Sequence, residues 1–215
     1  MEGELEMSVL EDIKESVITG NVEMVEEYTE TAVSEGLDVA EILTEGLIAG
    51  MSVVGARFKR NEIYVPEVLV AALAMRTGMA VIKPLLANST VRERGVVVLG
   101  TVQGDLHDIG KNLVVMMFEG AGYRVVDLGI DAPPEKFVQG VAEYGPHIVG
   151  LSALLTTTMV KMKETVDALR TADSSVKIMV GGAPVTQAFA DEIGADGYAS
   201  DAGSAVDIAN ELLAS

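Results

Sequence analysis

Apolar residues in the first part of the chain recur every three or four positions, the spacing that places them on one face of an α-helix. Breaks in this pattern, the first at Gly20–Asn21, divide it into four segments, of which the third covers roughly 38–58 and the fourth roughly 65–86. Four amphipathic helices joined by short breaks predict a four-helix bundle. The positions expected to face its core are Val9, Ile13, Val17 and Ile18; Val22, Val25, Tyr28, Thr29 and Ala32; Ile42, Leu43, Leu47, Met51 and Val54; and Val65, Val68, Leu69, Ala72, Met75, Met79 and Ile82.

The pattern changes after a polar stretch, NSTVRERG (88–95), which we interpret as a linker. Short β-branched runs then alternate with helical segments, the pattern of a parallel sheet covered on both faces. Five such units predict a flavodoxin-like (Rossmann-like) α/β fold with a five-stranded parallel sheet. Two domains are therefore expected, an all-α domain at 1–88 and an α/β domain at 89–215. The expected strands are 96–100, 124–129, 147–152, 176–181 and 197–200, and the expected helices lie near 109–121, 134–144, 158–171, 184–193 and 203–213.

Composition narrows the classes of function that the chain can have. It has 215 residues, of which 49% are hydrophobic, and a net charge of −18, so it can form a core but repels phosphate backbones and is not expected to bind nucleic acid. The absence of cysteine excludes disulfides, thiolate metal sites and cysteine nucleophiles. The acidic N-terminus lacks a signal pattern, and no apolar run approaches the roughly 20 residues of a membrane span, so a cytoplasmic protein is expected.

The chemistry is expected in the loops that leave the strands, because open α/β sheets bind ligands beyond the carboxyl ends of their strands. The first of these loops, GTVQGDLHDIG, contains Asp105 and His107 between glycines. Its spacing does not fit a dinucleotide-binding loop, and Ser152 stands where a phosphoacceptor receiver domain would end its third strand with Asp. His107 and His147 are too few to form a zinc cage, and no nucleophile elbow is visible.

A single histidine suits one axial bond to a metal that a macrocycle already holds. Asp105 is placed to hydrogen-bond the other imidazole nitrogen, fixing its tautomer, and Gly104 and Gly110 would let a large group approach the backbone. Asp108 is expected to cap the helix that begins near Ile109, and His147 is expected to be structural.

The chain resembles the cobalamin-binding corrinoid proteins in three motifs that stand in strand-end loops in the right order. These are Asp-x-His-x-x-Gly at Asp105, His107 and Gly110, then Ser-x-Leu at Ser152 and Leu154, then Gly181–Gly182. The intervals between the motifs are 41 and 26 residues. The helical stretch GMSVVGARFKRNEIYVPEVLVAALAM also resembles the cap of the methionine-synthase cobalamin module, so the likeness covers nearly the whole chain.

The resemblance implies that the chain binds cobalamin, with His107 replacing the cofactor's own benzimidazole as the lower cobalt ligand and Asp105 hydrogen-bonding His107. Thr158 would complete this relay. The residues expected to touch the cofactor also include Asp108, Ile109 and Gly110, which lie at the start of the helix that follows His107. The slot for the nucleotide tail would be lined by Gly104, Ser152, Leu154, Thr156, Gly181, Gly182, Tyr198 and Ala202, and the upper corrin face would be shielded by Phe58, Tyr64, Val65 and Val68.

The family further implies a carrier that shuttles a methyl group in trans. Its expected partners are a substrate-specific methyltransferase, a second methyltransferase that serves tetrahydrofolate or coenzyme M, and a reductive activase; the donor class could be methylamines, methanol, betaines or aryl methyl ethers. The alternatives are a cobalamin-binding subunit of a mutase, a cobalamin-sensing regulator, and an interaction module without a cofactor.

Overall fold

The computed structural model describes residues 2–86, 93–172 and 175–214, with side chains from residue 9 onward. The chain divides into two compact units, one of Met1–Arg92 with Gly120–Gly122 and the other of Glu93–Glu119 with Tyr123–Ser215. The expected domain boundary between residues 88 and 89, and most of the expected linker, lie outside the described residues.

The first unit is all-helical, as predicted, and consists of four helices in its described part. They are α1 (Glu2–Thr19), α2 (Val22–Ser34), α3 (Val39–Lys59) and α4 (Val65–Leu86). The Asn21 and Asp38 side chains accept hydrogen bonds from backbone N–H groups in the first turns of α2 and α3, which fixes where these helices begin.

Close helix packing in this unit depends on glycines of α3. A Cβ atom on Gly50 would lie 2.7 Å from Cβ of Val17, and one on Gly46 would lie 2.9 Å from Ile13, so α1 and α3 approach closely at these positions. Within α3, the stretch Ile42–Ile48 has the wider pitch of a π-helix, which a hydrophobic pattern cannot distinguish from an α-helix.

The predicted core of the first unit is largely buried, but Leu69 is an exception. Its side chain is 43% exposed, so its assignment to the core was wrong. The neighbouring Val68 and Ala72, which were also assigned to the core, are buried. Helices α3 and α4 are long and apolar enough by composition to cross a membrane, contrary to our expectation. Each contributes buried residues to this core, and 44% and 39% of the two apolar stretches are buried.

The second unit contains the predicted five-stranded parallel sheet. Its strands are β1 (Val96–Thr101), β2 (Arg124–Asp127), β3 (Ile148–Ser152), β4 (Lys177–Gly181) and β5 (Gly197–Ala199). The strand order is β2-β1-β3-β4-β5. This is the flavodoxin-like order, and it puts the topological switch point between β1 and β3. The helices are α5 (Ile109–Gly120), α6 (Pro134–Tyr144), α7 (Met159–Ala172), α8 (Gln187–Ile193) and α9 (Ala202–Ala214).

A hydrophobic core lies on one face of this sheet, where α6, α7 and α8 pack on the strands. Its largest members include Phe137, Met162 and Leu169, all fully buried. On the opposite face, a Cβ on Gly197 would contact Ile208 of α9, so that face is covered by α9. At the far end of the sheet, the Nδ1 atom of His147 accepts a hydrogen bond from the Val96 N–H at 3.1 Å, a structural contact of the kind expected for this histidine.

Candidate cofactor site

The loop between β1 and α5 holds the predicted Asp-x-His motif at the switch point of the sheet. Its start is tied to β3, because the Val102 N–H donates to the Ser152 carbonyl at 3.0 Å. The hydroxyl of the buried Thr101 donates to the His107 carbonyl at 2.9 Å. The backbone of His107 is therefore held from the end of β1.

The imidazole of His107 is oriented by Asp105. The Nδ1 atom lies 2.7 Å from Oδ1 of Asp105, and the His107 backbone N–H donates to the same oxygen at 3.1 Å. The side chain is 49% exposed, and no described residue hydrogen-bonds its Nε2 atom. Because Nδ1 donates to the carboxylate, Nε2 keeps its lone pair and is free to bind a metal from solvent.

The second oxygen of Asp105 is held by the loop after β3. It accepts hydrogen bonds from the Leu154 N–H at 2.7 Å, the Leu155 N–H at 3.3 Å and the Thr158 hydroxyl at 2.7 Å. The Asp105 side chain is fully buried. The expected contact between Thr158 and Asp105 is thus present, although 53 positions separate the two residues.

These contacts keep the buried carboxyl ionised. Burial acts to raise the pKa of Asp105, but hydrogen bonds from the Leu154 N–H, the Thr158 hydroxyl and His107 outweigh it and hold the pKa well below its ordinary value. A carboxylate in this state accepts a hydrogen bond from Nδ1 and fixes the tautomer of the imidazole.

Exposed apolar side chains occur in the loops and first helical turns at the same end of the sheet. Such side chains normally avoid water, and a concentration of them marks a binding surface. A single imidazole among them suits a large, mostly apolar ligand that offers one coordination position. They are Leu106 (67% exposed), Ile109 (76%), Ile130 (41%), Leu154 (43%), Leu155 (42%) and Val160 (56%).

Small side chains form a row across the carboxyl ends of four strands. The register pairs Thr101 with Ser152, Ser152 with Gly181, and Gly181 with Ala199, so the four residues share one face of the sheet. This is the face that α9 covers, and α9 begins with the buried Ala202. A narrow group inserted along this face would meet little side-chain bulk.

Of the predicted slot residues, only Ser152 and Gly181 belong to this row. Gly182 follows β4 with a φ of +133°, and Tyr198 is partly buried against the core on the other face of the sheet. Thr156 is exposed in the loop after β3. Gly104 has a φ of +82°, and a Cβ there would lie 3.7 Å from Cγ2 of Thr158, whereas a Cβ on Gly110 would meet no atom of the described residues within 4 Å.

Asp108 occupies the position before α5, as expected for a cap. Its carbonyl accepts the Asn112 N–H at 2.7 Å, and its carboxylate accepts the Asn112 side-chain amide at 3.1 Å. Both contacts serve the first turn of the helix.

The four residues expected to shield a corrin have different surroundings within the helical unit. Tyr64 is 65% exposed just before α4, whereas Val68 is fully buried in the helical core. Phe58 and Val65 are half-buried. Of the four, Tyr64 presents the largest free surface.

Sequence reasoning missed Thr101 and Asp131, which support the His107 loop. Asp131 accepts a hydrogen bond from the Gly104 N–H at 2.7 Å. A polar residue at the end of β1 was the available indication for Thr101. For Asp131 the sequence offered only an acidic residue in a turn before Pro133.

The chain is similar to known proteins over both units. The B12 binding domain family matches residues 95–207, and a second B12 binding domain family matches residues 9–83. A corrinoid protein of Desulfitobacterium hafniense (strain Y51) is 45% identical over 212 residues, covering 96% of this chain and 98% of the relative. Dimethylamine corrinoid protein 1 of Methanosarcina acetivorans is 43% identical over 209 residues, covering 96% and 98%.

Two solved structures resemble the fold closely. One is a methanol:cobalamin methyltransferase complex from Methanosarcina barkeri, with a TM-score of 0.87 and 32% identity, covering 96% of this chain and 80% of that chain. The other is a cobalamin-binding protein from Desulfitobacterium hafniense DCB-2, with a TM-score of 0.79 and 33% identity, covering 94% and 98%. Since the matches extend over both the helical and the α/β unit, the chain belongs to the family of B12-binding corrinoid proteins.

Proposed function

We propose that this corrinoid protein binds cobalamin with His107 as the axial ligand to cobalt and carries a methyl group between two methyltransferases. One observation carries the proposal: a half-exposed imidazole has its Nδ1 atom bound to a buried carboxylate at 2.7 Å, while its Nε2 atom has no hydrogen-bond partner in the described part of the chain. That arrangement prepares one nitrogen for one metal bond.

The surroundings of His107 suit a corrin with a displaced nucleotide tail. The exposed apolar side chains of the strand-end loops offer a surface to the ring, and Ile109 and Leu154 are the members already expected from the sequence. The row of small residues ending at Gly181 and Ala199 offers a path for the tail along the sheet. Phe58 and Tyr64 of the helical unit are proposed to shield the opposite side of the ring, with Val65 beside them.

When bound, the cobalt of the cofactor supplies the chemistry of methyl transfer, and the protein supplies binding and electrostatics. Asp105 holds the proton at Nδ1 of His107, so the imidazole presents a single tautomer. Thr158 donates its hydroxyl to Asp105 at 2.7 Å and keeps that carboxylate anionic. The three residues thus set how strongly Nε2 donates to a metal.

The proposed partners are a substrate-specific methyltransferase, a second methyltransferase for tetrahydrofolate or coenzyme M, and a reductive activase, all in the cytoplasm. The names of two relatives concern dimethylamine and methanol, which supports small methylated compounds as the donor class. This similarity favours a methyl carrier over a mutase subunit or a regulator. Because the site residues described above would contact the cofactor, the donor would be selected by the partner enzyme.

Axial ligation can be tested with cobinamide, a corrinoid that lacks the nucleotide base, so that an axial nitrogen can come only from the protein. With the bound cobalt in its Co(II) state, electron paramagnetic resonance should show coupling to one nitrogen in the wild-type protein. The coupling should disappear in His107→Ala and persist in His147→Ala, which removes the other histidine. Coupling that persists in His107→Ala would overturn the assignment.

The carrier role is tested separately with cobalamin-loaded protein. The bound cobalt is first reduced to Co(I) with a chemical reductant, because only that state accepts a methyl group. Methyltransferases for methylamines, methanol, betaines and aryl methyl ethers should then be offered in turn with their substrates, and methylation of the bound cofactor followed by its absorption spectrum. One enzyme should methylate the loaded wild-type protein rapidly. Failure with every donor class, in a protein that binds cobalamin through His107, would count against the carrier function.

A further inference from the structure

The loop between β2 and α6 lies directly against the loop that carries His107. We infer that Asp131, in this neighbouring loop, is a positioning residue that keeps Asp105 and His107 in the geometry needed for metal ligation. The inference rests on the proposed ligation by His107 and adds a residue from a different strand.

Asp131 makes two hydrogen bonds, one on each side of the peptide that joins Gly104 to Asp105. Its Oδ1 atom accepts the Gly104 N–H at 2.7 Å, and its own N–H donates to the Asp105 carbonyl at 3.0 Å. Asp131 therefore holds the main chain on both sides of the peptide bond between Gly104 and Asp105. Gly104 has a φ of +82°, so the loop reverses direction at the point where Asp131 holds it.

The backbone of Asp131 is itself unusual. Its φ is +50°, and among the described residues that are not glycine only Asn61 shares a positive φ. Left-handed conformations cost an L-residue with a side chain roughly 1–2 kcal/mol, and glycine avoids that cost. The carboxylate at this position has a contact that glycine could not make, namely the acceptance of the Gly104 N–H.

The segment around Asp131 is anchored at both ends. On one side, the Gly129 carbonyl accepts the Thr101 N–H at 2.9 Å; on the other, the Ala132 N–H donates to the Thr101 carbonyl at 2.9 Å. Asp131 therefore lies in a short segment that is hydrogen-bonded at both ends to Thr101, the last residue of β1. The hydroxyl of Thr101 also donates to the His107 carbonyl.

An ion pair between a buried lysine and a partly exposed aspartate holds the beginning of this segment. Lys111 of α5 is only 3% exposed, and its Nζ atom lies 2.5 Å from Oδ2 of Asp127. The other oxygen of Asp127 accepts the Gly129 N–H at 2.8 Å. The segment is thus connected to α5 as well as to β1, so Asp131, although exposed, lies in a segment with several attachments.

The contribution of Asp131 to function follows from the tolerance of metal sites. Ligating groups must be held within about 0.5 Å of their working positions, and outer partners of a ligating histidine typically contribute about 10–100-fold to metal affinity. Asp131 acts through the backbone of Asp105, so its loss should loosen the orientation of His107 while leaving the corrin-binding surface in place.

The test compares Asp131→Gly with Asp131→Asn in the full-length protein loaded with cobinamide. Glycine accepts the left-handed backbone without strain but removes the acceptor, whereas asparagine keeps both the conformation and an acceptor oxygen. Asp38→Ala is the control, because Asp38 also accepts one backbone N–H, from Ala40 at 2.9 Å, but lies in the helical unit.

We expect Asp131→Gly to shift the equilibrium of nitrogen ligation in the Co(II) resonance spectrum by about 10-fold toward the unligated form. Asp131→Asn and Asp38→Ala should retain the wild-type spectrum. A wild-type spectrum in Asp131→Gly, or equal loss in the glycine and asparagine variants, would refute the positioning role. A wild-type protein with no nitrogen coupling at all would instead refute ligation by His107, and the positioning role with it.

Discussion

A Cβ atom on Gly182 would lie 1.9 Å from the carbonyl oxygen of Ala153, far inside contact distance. The φ of Gly182 is +133°, a conformation that residues with side chains rarely adopt. The chain therefore needs glycine here for two reasons, the clash and the backbone conformation. Both apply at the carboxyl end of the sheet, where the loops after β3 and β4 approach each other.

Gly182→Ala should lower the free energy of unfolding by about 3 kcal/mol or more, because backbone strain of about 1–3 kcal/mol adds to a clash with a main-chain atom. The measurement is urea denaturation of the cofactor-free protein. Gly145→Ala is a matched control, since Gly145 also has a positive φ, +55°, but open space around it. Equal losses in the two variants would show that the close approach to Ala153 contributes nothing.

Gly110→Ala should separate folding from cofactor binding. A Cβ on Gly110 would meet no atom of the described residues within 4 Å, and Gly110 lies in the first turn of α5. Stability should therefore stay the same or rise by up to about 1 kcal/mol. The affinity for cobalamin, measured by absorption titration, should fall because the added methyl group occupies space that we assign to the ligand. Unchanged affinity would remove Gly110 from the proposed cofactor contacts.

Thr158→Val should destabilise the fold by about 1–3 kcal/mol. The substitution keeps the shape of the side chain but removes the hydroxyl that donates to Asp105 at 2.7 Å. Thr158→Ser keeps the hydroxyl and should lose less. Urea denaturation of both variants checks the order, and a serine variant less stable than the valine variant would mean that methyl packing outweighs the hydrogen bond.

Acid should weaken the fold partly through Asp105. The pKa of Asp105 is lowered in the folded protein, so its stabilising contribution is complete above the unfolded-state pKa, near 3.9. The contribution is lost as the pH falls through that value toward the lower folded-state pKa. Between about pH 5 and pH 3, the free energy of unfolding should therefore fall more steeply in the wild type than in Asp105→Asn. Parallel curves would contradict the lowered pKa.

Local sequence patterns predicted much of this architecture because the interactions that form it are short in range. Short runs of apolar residues between helical segments located all five strands, and the spacing of Asp105 and His107 was sufficient to predict their contact. Thr158 lies too far along the chain for any local rule, and only the family resemblance suggested its partnership with Asp105.

The features that sequence reasoning missed depend on tertiary register. Asp131 reaches Gly104 only because β1 and β2 are neighbours and their loops end at the same height, which no periodicity encodes. The exposed Leu69 and the inward position of Tyr198 on the far face of the sheet likewise depend on how neighbouring elements pack. Their hydrophobic character alone could not specify these positions.

The two carboxylate oxygens of Asp105 accept hydrogen bonds from two different parts of the structure. One oxygen is bonded to His107 and the other to the segment 154–158, so the positions of the imidazole and of this segment depend on the same negative charge. Neutralising that single group would release the imidazole and detach the adjoining segment together. Metal ligation by His107 and the stability of the adjoining segment are therefore coupled in this protein. A substitution at Asp105 cannot be selected for its effect on one without changing the other.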